Sequence, residues 1–222
     1  HTGATESWNG SGWTEVNDLN SARNNAGGSG TSTSALIFGG YDATGEVGLT
    51  ESWNGSSWTE TGDMNTGRPG VGGTGASNAA ALAFGGETPG TAAHTDTESW
   101  NGSSWTEVNN LNTGRDGISA GIGTYTAALA AGGNSDPSPA TELAVTETWD
   151  GSSWTTAAGE LNTARKGLAG SGTSTDGLIF GGREPTVTAK TESWNGTIWA
   201  ETTDMNKVQS LQAGSGTSTA AL

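Results

Sequence analysis

The chain carries two imidazoles, His1 and His94, and no cysteine among its 222 residues. Without Cys there is no thiolate nucleophile, no Cys-ligated zinc, no iron–sulfur cluster and no disulfide framework. Neither His has a second metal ligand at motif spacing. No nucleophile elbow, phosphate-binding loop, EF-hand loop or paired-carboxylate motif occurs. The expectation is a protein that is not an enzyme and holds no metal or cofactor. The chemistry left within reach is recognition by hydrogen bonds, charge pairs and aromatic faces.

Four segments that follow a Gly-Gly pair differ in length and content: YDATGEVGL from Tyr41, ETPGTAAHTD from Glu87, NSDPSPATELAV from Asn134 and REPTVTAK from Arg183. Loops that vary over a repeating scaffold are where binding usually sits. Their distinctive side chains are Tyr41, Asp42, Glu46, His94, Asp96, Asp136, Glu142 and Arg183, the candidate recognition residues. Neutral drift of solvated loops is the competing explanation.

The ten tryptophans form five pairs, each five residues apart: Trp8 and Trp13, Trp53 and Trp58, Trp100 and Trp105, Trp149 and Trp154, Trp194 and Trp199. Aromatic faces suit sugar rings, but magnitude favours packing. Burying ~150–250 Å² of Trp at ~25 cal/mol per Å² contributes roughly 4–6 kcal/mol gross. Only 27 Leu, Ile, Val and Phe are available to do the same. One arginine per unit, at Arg23, Arg68, Arg115 and Arg165, reads as structural, bonded to carbonyls or to a repeat Glu such as Glu6 or Glu51. A fifth unit has Gln209 at that place. Asn-Gly-Ser/Thr at Asn9, Asn54, Asn101 and Asn195 matches the glycosylation sequon, yet Asp150 replaces Asn in the fourth pair. Turn geometry explains all five positions and glycosylation only four.

These residues are set on an internal repeat. TESWNG recurs at Thr5, Thr50, Thr97 and Thr191, with TETWDG at Thr146, and the first Trp of each unit is spaced 45, 47, 49 and 45 residues from the last. Few aliphatics and a net charge of −15 resemble a disordered composition, but ten Trp and 38 Gly in ordered array do not. The acidity argues against nucleic acid, whose binding rests on phosphate neutralisation. No apolar run approaches the ~20 residues of a membrane helix, so no membrane insertion is expected. His1 in place of Met reads as a processed product or an excerpt.

Each unit reads as four strands. Asn-Gly between the two Trp predicts a two-residue type I′ hairpin, with Trp8 opposite Ser11 and Glu6 opposite Trp13. A Gly-rich segment and a short apolar run ending in Gly-Gly supply the other two strands. Four short strands per 45–50 residues describe a propeller blade. The expected fold is all-β: residues 1–222 as one domain, a five-bladed β-propeller of four-stranded antiparallel blades. Its repeats begin near residues 5, 50, 97, 146 and 191. Residues 211–222 complete the last blade by pairing with the N-terminal half-blade, which closes the ring. Gly-rich strands reading AGGSG, VGGTG, SAGIG, LAGSG and QAGSG would crowd the axis.

An apolar strand ending in Gly-Gly, a variable loop, a strand, a turn, then Trp and a following Arg resembles the kelch motif over essentially the whole chain. It departs from kelch where Trp8 and its equivalents replace a Tyr before the turn. TESWNGSSWTEVNNLNTGR, from Thr97 to Arg115, resembles repeats of marine tailed-phage virion proteins. That resemblance implies a structural or recognition module on a virion or extracellular surface, with other virion proteins or a host-surface glycan or protein as partner. A lectin with one sugar site per blade and a protein-binding propeller of a bacterial extracellular protein are the alternatives. Kelch-like copper oxidases use Cys and Tyr ligation, which a chain without Cys cannot reproduce.

Overall fold

A computed structural model describes residues 1–87, 93–117, 121–135, 141–210 and 213–221. In the first hairpin β1 (Thr5–Trp8) runs antiparallel to β2 (Trp13–Val16), with Trp8 opposite Trp13 and Glu6 opposite Glu15. The loop is therefore four residues, 9–12, and not the two-residue type I′ turn expected. The Asn9 carboxamide oxygen accepts from the amides of Ser11 at 2.9 Å and Gly12 at 3.0 Å. Only Gly10, at φ 96°, is left-handed in this loop, whereas a type I′ turn needs two such residues. Asp150 makes the same bonds to Ser152 and Ser153, both at 2.8 Å, so an Asn or Asp oxygen is all the turn requires. The corrected register puts each Trp pair side by side, ring centroids 5.2–5.5 Å apart.

Four antiparallel four-stranded sheets follow, each running from a Gly-rich inner strand to an outer Trp strand. The first contains β3 (Gly27–Thr31), β4 (Ser34–Phe38), β5 (Thr50–Trp53) and β6 (Trp58–Glu60). The second contains β7 (Gly72–Ser77), β8 (Ala80–Phe84), β9 (Thr97–Trp100) and β10 (Trp105–Val108). The third contains β11 (Gly121–Thr124), β12 (Ala127–Ala131), β13 (Thr146–Trp149) and β14 (Trp154–Thr156). In the fourth, β15 (Ala169–Gly172) and β16 (Gly177–Phe180) are followed by a small hairpin of β17 (Arg183–Glu184) and β18 (Thr186–Val187), which the repeat pattern does not predict. That sheet ends with β19 (Thr191–Trp194) and β20 (Trp199–Glu201). A last pair joins β21 (Gly216–Thr217) to β22 (Ala220–Ala221). Among the described residues β1–β2 and β21–β22 stand as separate two-stranded sheets, and the expected strand pairing between them is absent.

The core lies between consecutive sheets. Leu36 and Phe38 of β4 meet Ala81 and Ala83 of β8 together with Trp100 and Trp105, and equivalent slabs fill the next two gaps. Phe38 meets Trp105 edge-on at 4.8 Å, and Phe84 meets Trp154 at 4.9 Å. From the second hairpin on, the second Trp also donates its indole N–H backwards to the Thr opening the previous hairpin. Trp58 reaches Thr5 at 3.2 Å, Trp105 reaches Thr50 at 2.9 Å, Trp154 reaches Thr97 at 3.1 Å and Trp199 reaches Thr146 at 2.9 Å. Close approach of the inner strands requires glycine: a Cβ on Gly73 would stand 2.7 Å from the Gly28 carbonyl, and one on Gly214 2.8 Å from that of Gly170.

A buried polar clasp joins each sheet to the next. Asn65 donates its backbone and side-chain N–H to Glu98 Oε2, both at 2.8 Å, while Arg68 Nη1 meets Glu98 Oε1 at 2.7 Å. The same set recurs as Asn20 and Arg23 on Glu51, Asn112 and Arg115 on Glu147, and Asn162 and Arg165 on Glu192. Burial lowers the pKa of Arg23, Arg115 and Arg165, and the facing Glu opposes that shift in each case. Removing Trp105 should therefore be costly. We expect Trp105→Ala to lose about 3–5 kcal/mol of unfolding free energy in a urea titration, whereas a loss under ~1 kcal/mol would mean that the inter-sheet slab is not the core.

Candidate functional site

The five Gly-rich strands β3, β7, β11, β15 and β21 all contribute residues to one cavity of about 700 Å³. Most of its wall is backbone and small side chains, which have little capacity to discriminate ligands. Discrimination is confined to one mouth. There the residue after each motif Arg pairs with the residue after each Gly-Gly. Asn24 bridges Tyr41, Asp116 bridges Asn134, Lys166 bridges Arg183, and the Glu87 amide donates to the Pro69 carbonyl at 3.0 Å. Backbone geometry at these positions repeats from sheet to sheet while the side chains do not. At the other end the Asn-Gly turns sit against the Ser/Thr-rich turns, with Trp53 donating to the Ser32 carbonyl at 2.9 Å.

The sequence-selected residues are found in local pairs around this mouth. Tyr41 donates its hydroxyl to Glu46 Oε1 at 2.9 Å, and that bond, together with burial, raises the Tyr41 pKa. Asp42 turns back into its own loop, accepting from the Thr44 amide and hydroxyl at 2.6 Å each and from the Gly45 amide at 3.2 Å. Those bonds, the Thr44 hydroxyl first, lower the Asp42 pKa and make it a loop brace. His94 Nδ1 lies 2.9 Å from Asp96 Oδ2. Glu142 stands 3.8 Å from Lys166, and Arg183 Nε donates to the Pro185 carbonyl at 2.9 Å. Asp136 lies outside the described residues. These pairs do not merge into one cluster, and among the described residues no group of three or more His, Asp or Glu is placed to hold a metal ion.

Several residues that line the cavity were not singled out from the sequence: Asn25, Glu87, Asp116, Asn134 and Lys166. Glu87 and Asp116 lie in successive repeats and both line the cavity. Burial raises the Glu87 pKa above its ordinary 4.5, with the charge of Asp116 and the charge of Glu46 adding to the shift. The signal that could have revealed Glu87, Asp116, Asn134 and Lys166 was columnar, whereas the place of Asn25 holds Gly in the next three units. In aligned repeats, the places just after Arg and just after Gly-Gly hold a different residue in every unit.

No family model and no curated protein matches this chain.

A carboxyl group whose folded pKa is raised holds its proton more tightly folded than unfolded. Its contribution to stability is complete below its unfolded pKa and is lost as pH rises through the folded value. The melting temperature of the parent should therefore fall relative to that of Glu87→Gln as pH is taken from about 4 to about 7. Thermal denaturation of both proteins across that range measures this, and a difference independent of pH would contradict it.

Proposed function

We propose that the chain closes into a five-bladed, kelch-like propeller and serves as a non-enzymatic recognition or structural module on the exterior of a tailed-phage particle. Its partners in this reading are other virion proteins or a host-surface glycan or protein. β1–β2 and β21–β22 supply the two halves of the fifth blade. Support for the ring comes from the shared cavity: β21 lines it beside β15, and Ser171 donates to the Thr217 carbonyl at 3.3 Å. The remaining gap lies between β21 and β3. A Cβ on Gly28 would meet nothing nearer than the Leu36 carbonyl at 3.6 Å, although glycine is needed at this register only where a neighbouring strand crowds it. If the ring closes through these strands, deleting residues 1–16 removes half a blade and should lower the melting temperature of the whole protein. A truncated protein that melts with the parent would exclude closure.

The observation that carries the recognition reading is the inequality of the mouth. Tyr41, Glu87, Asn134 and Arg183 occupy equivalent backbone positions with four different chemistries, over a scaffold that is otherwise nearly identical from unit to unit. Such a surface suits one asymmetric partner. A lectin with a site per blade would need repeated platforms, and seven of the ten tryptophans are no more than 6% exposed. Antibodies to the protein should decorate the outside of phage particles whose genome encodes it when they are viewed by immunogold electron microscopy. Recovery only in the unassembled fraction of a lysate would overturn the virion assignment.

A further inference from the structure

The inter-sheet clasp recurs four times, at Arg23 with the ion pair alone and no guanidinium hydrogen bond, and its two unmatched halves are at opposite ends of the chain. On the N-terminal hairpin, Glu6 occupies the register of Glu51, Glu98, Glu147 and Glu192, yet it is exposed and makes no hydrogen bond or ion pair among the described residues. Trp13 occupies the register of the indole donors and is 59% exposed. At the other end Asn206 and Gln209 stand where the other units have Asn and Arg. Both are exposed, and neither side chain has a hydrogen-bond partner among the described residues.

Backbone geometry shows that this second half is already built. The Met205 amide donates to the Ala189 carbonyl at 3.0 Å, as Met64 does to Gly48 at 2.9 Å and Leu111 to Thr95 at 2.9 Å. The Gln209 amide donates to Thr188 at 3.2 Å and its carbonyl accepts from Gly182 at 2.8 Å. Arg165 makes the corresponding bonds to Leu143 at 3.2 Å and from Gly133 at 3.0 Å. Thr191 repeats the Thr50 arrangement: its hydroxyl donates to the carbonyl two residues back at 3.4 Å, as Thr50 does, and so keeps lone pairs available to accept. In Thr50 that acceptor is filled by the Trp105 indole.

We infer that the 204–209 turn and the β1–β2 hairpin form a fifth clasp within one molecule, with Asn206 and Gln209 holding Glu6 and the Trp13 indole donating to Thr191 Oγ1. The inference rests on the ring reading above and assigns the side chains of its seam. Continuity with four existing copies of the interface selects the chain's own other end as the occupant. The match is chemical as well as positional, because donors without acceptors face a carboxylate without donors. It also covers Trp13, which at 59% exposed is the one second Trp of a hairpin left open to solvent among the described residues. The seam differs from the other junctions in one respect. A neutral amide replaces the guanidinium, so the Glu there lacks a charge-assisted partner, the stronger class of hydrogen bond. The seam is thus the weakest junction, where the ring opens first.

A double-mutant cycle on the full chain tests this assignment. Gln209→Arg restores the ion pair and should raise the melting temperature by about 2–4 °C, and that gain should vanish when Glu6→Gln is also present. With 15N-labelled indoles, the Trp13 Nε1–H should exchange slowly in the parent and faster in Thr191→Val. Light scattering should give a monomer whose melting temperature does not depend on concentration. A gain from Gln209→Arg that persists in the Glu6→Gln background, or a Trp13 indole that exchanges freely in both proteins, overturns the clasp. A coupling that appears only with dimer formation assigns the interface to a second copy and also overturns it. Loss of the coupling while deletion of residues 1–16 still destabilises the protein would leave the ring standing and remove only the clasp.

Discussion

Everything in this structure depends on how a buried carboxylate is held between sheets. The Glu98 side chain is only 1% exposed, and its charge is met by residues of the turn that leaves the previous unit, Asn65 and Arg68. A buried charge without a partner costs several kcal/mol, so neither side of the junction can be buried without the other. The clasp sets the angle between neighbouring sheets by directional bonds, and the aromatic slab beside it fills the space so defined. Hydrophobic burial contributes more free energy, but it is non-directional. Repeating one directional contact bends a row of sheets around a common axis.

That division of labour explains why the chain folds with so few aliphatic residues. Trp100 and Trp105 are each used twice: the ring packs across a sheet interface while the N–H ends on a backbone carbonyl or a Thr hydroxyl of the adjoining segment. Glycines let the inner strands approach until backbone meets backbone, which leaves an axial wall nearly without side chains. Chemical individuality stands instead at the mouth, where Tyr41, Glu87, Asn134 and Arg183 occupy equivalent backbone positions. Tyr41 there pairs with Glu46, and Glu87 lies within reach of the charge of Asp116.

The all-β repeat and its four-stranded sheets were legible because TESWNG, the paired Trp and the Gly-Gly ends recur in register. The hairpin register was not. Asn-Gly signals type I′ only when nothing competes, and here the Asn9 side chain takes the bonds that the second residue of the turn would have organised. The candidate recognition residues stand out in the sequence for being unusual, and the structure ranks them by a different rule. Asp42 is spent bracing its own loop, whereas the unremarked Glu87, Asp116 and Lys166 face the cavity. Their placement follows from sheet packing, which no single repeat reveals.

By itself, the sequence determined the period, the strand content, the absence of thiol chemistry and the identity of the repeated Trp, Arg, Asn and Glu. Periodicity carries those because each unit must solve the same local problem with the same residues. Only the tertiary structure decided which Glu belongs to which Arg, since each clasp joins residues about 30 positions apart across a junction between units. It also decided that carboxyl groups of successive units, Glu87 and Asp116, line one cavity, and that Glu6 lacks the partners its equivalents have. Those facts depend on distances between sheets, which are set by side chains packing across an interface and not by any local preference of the chain.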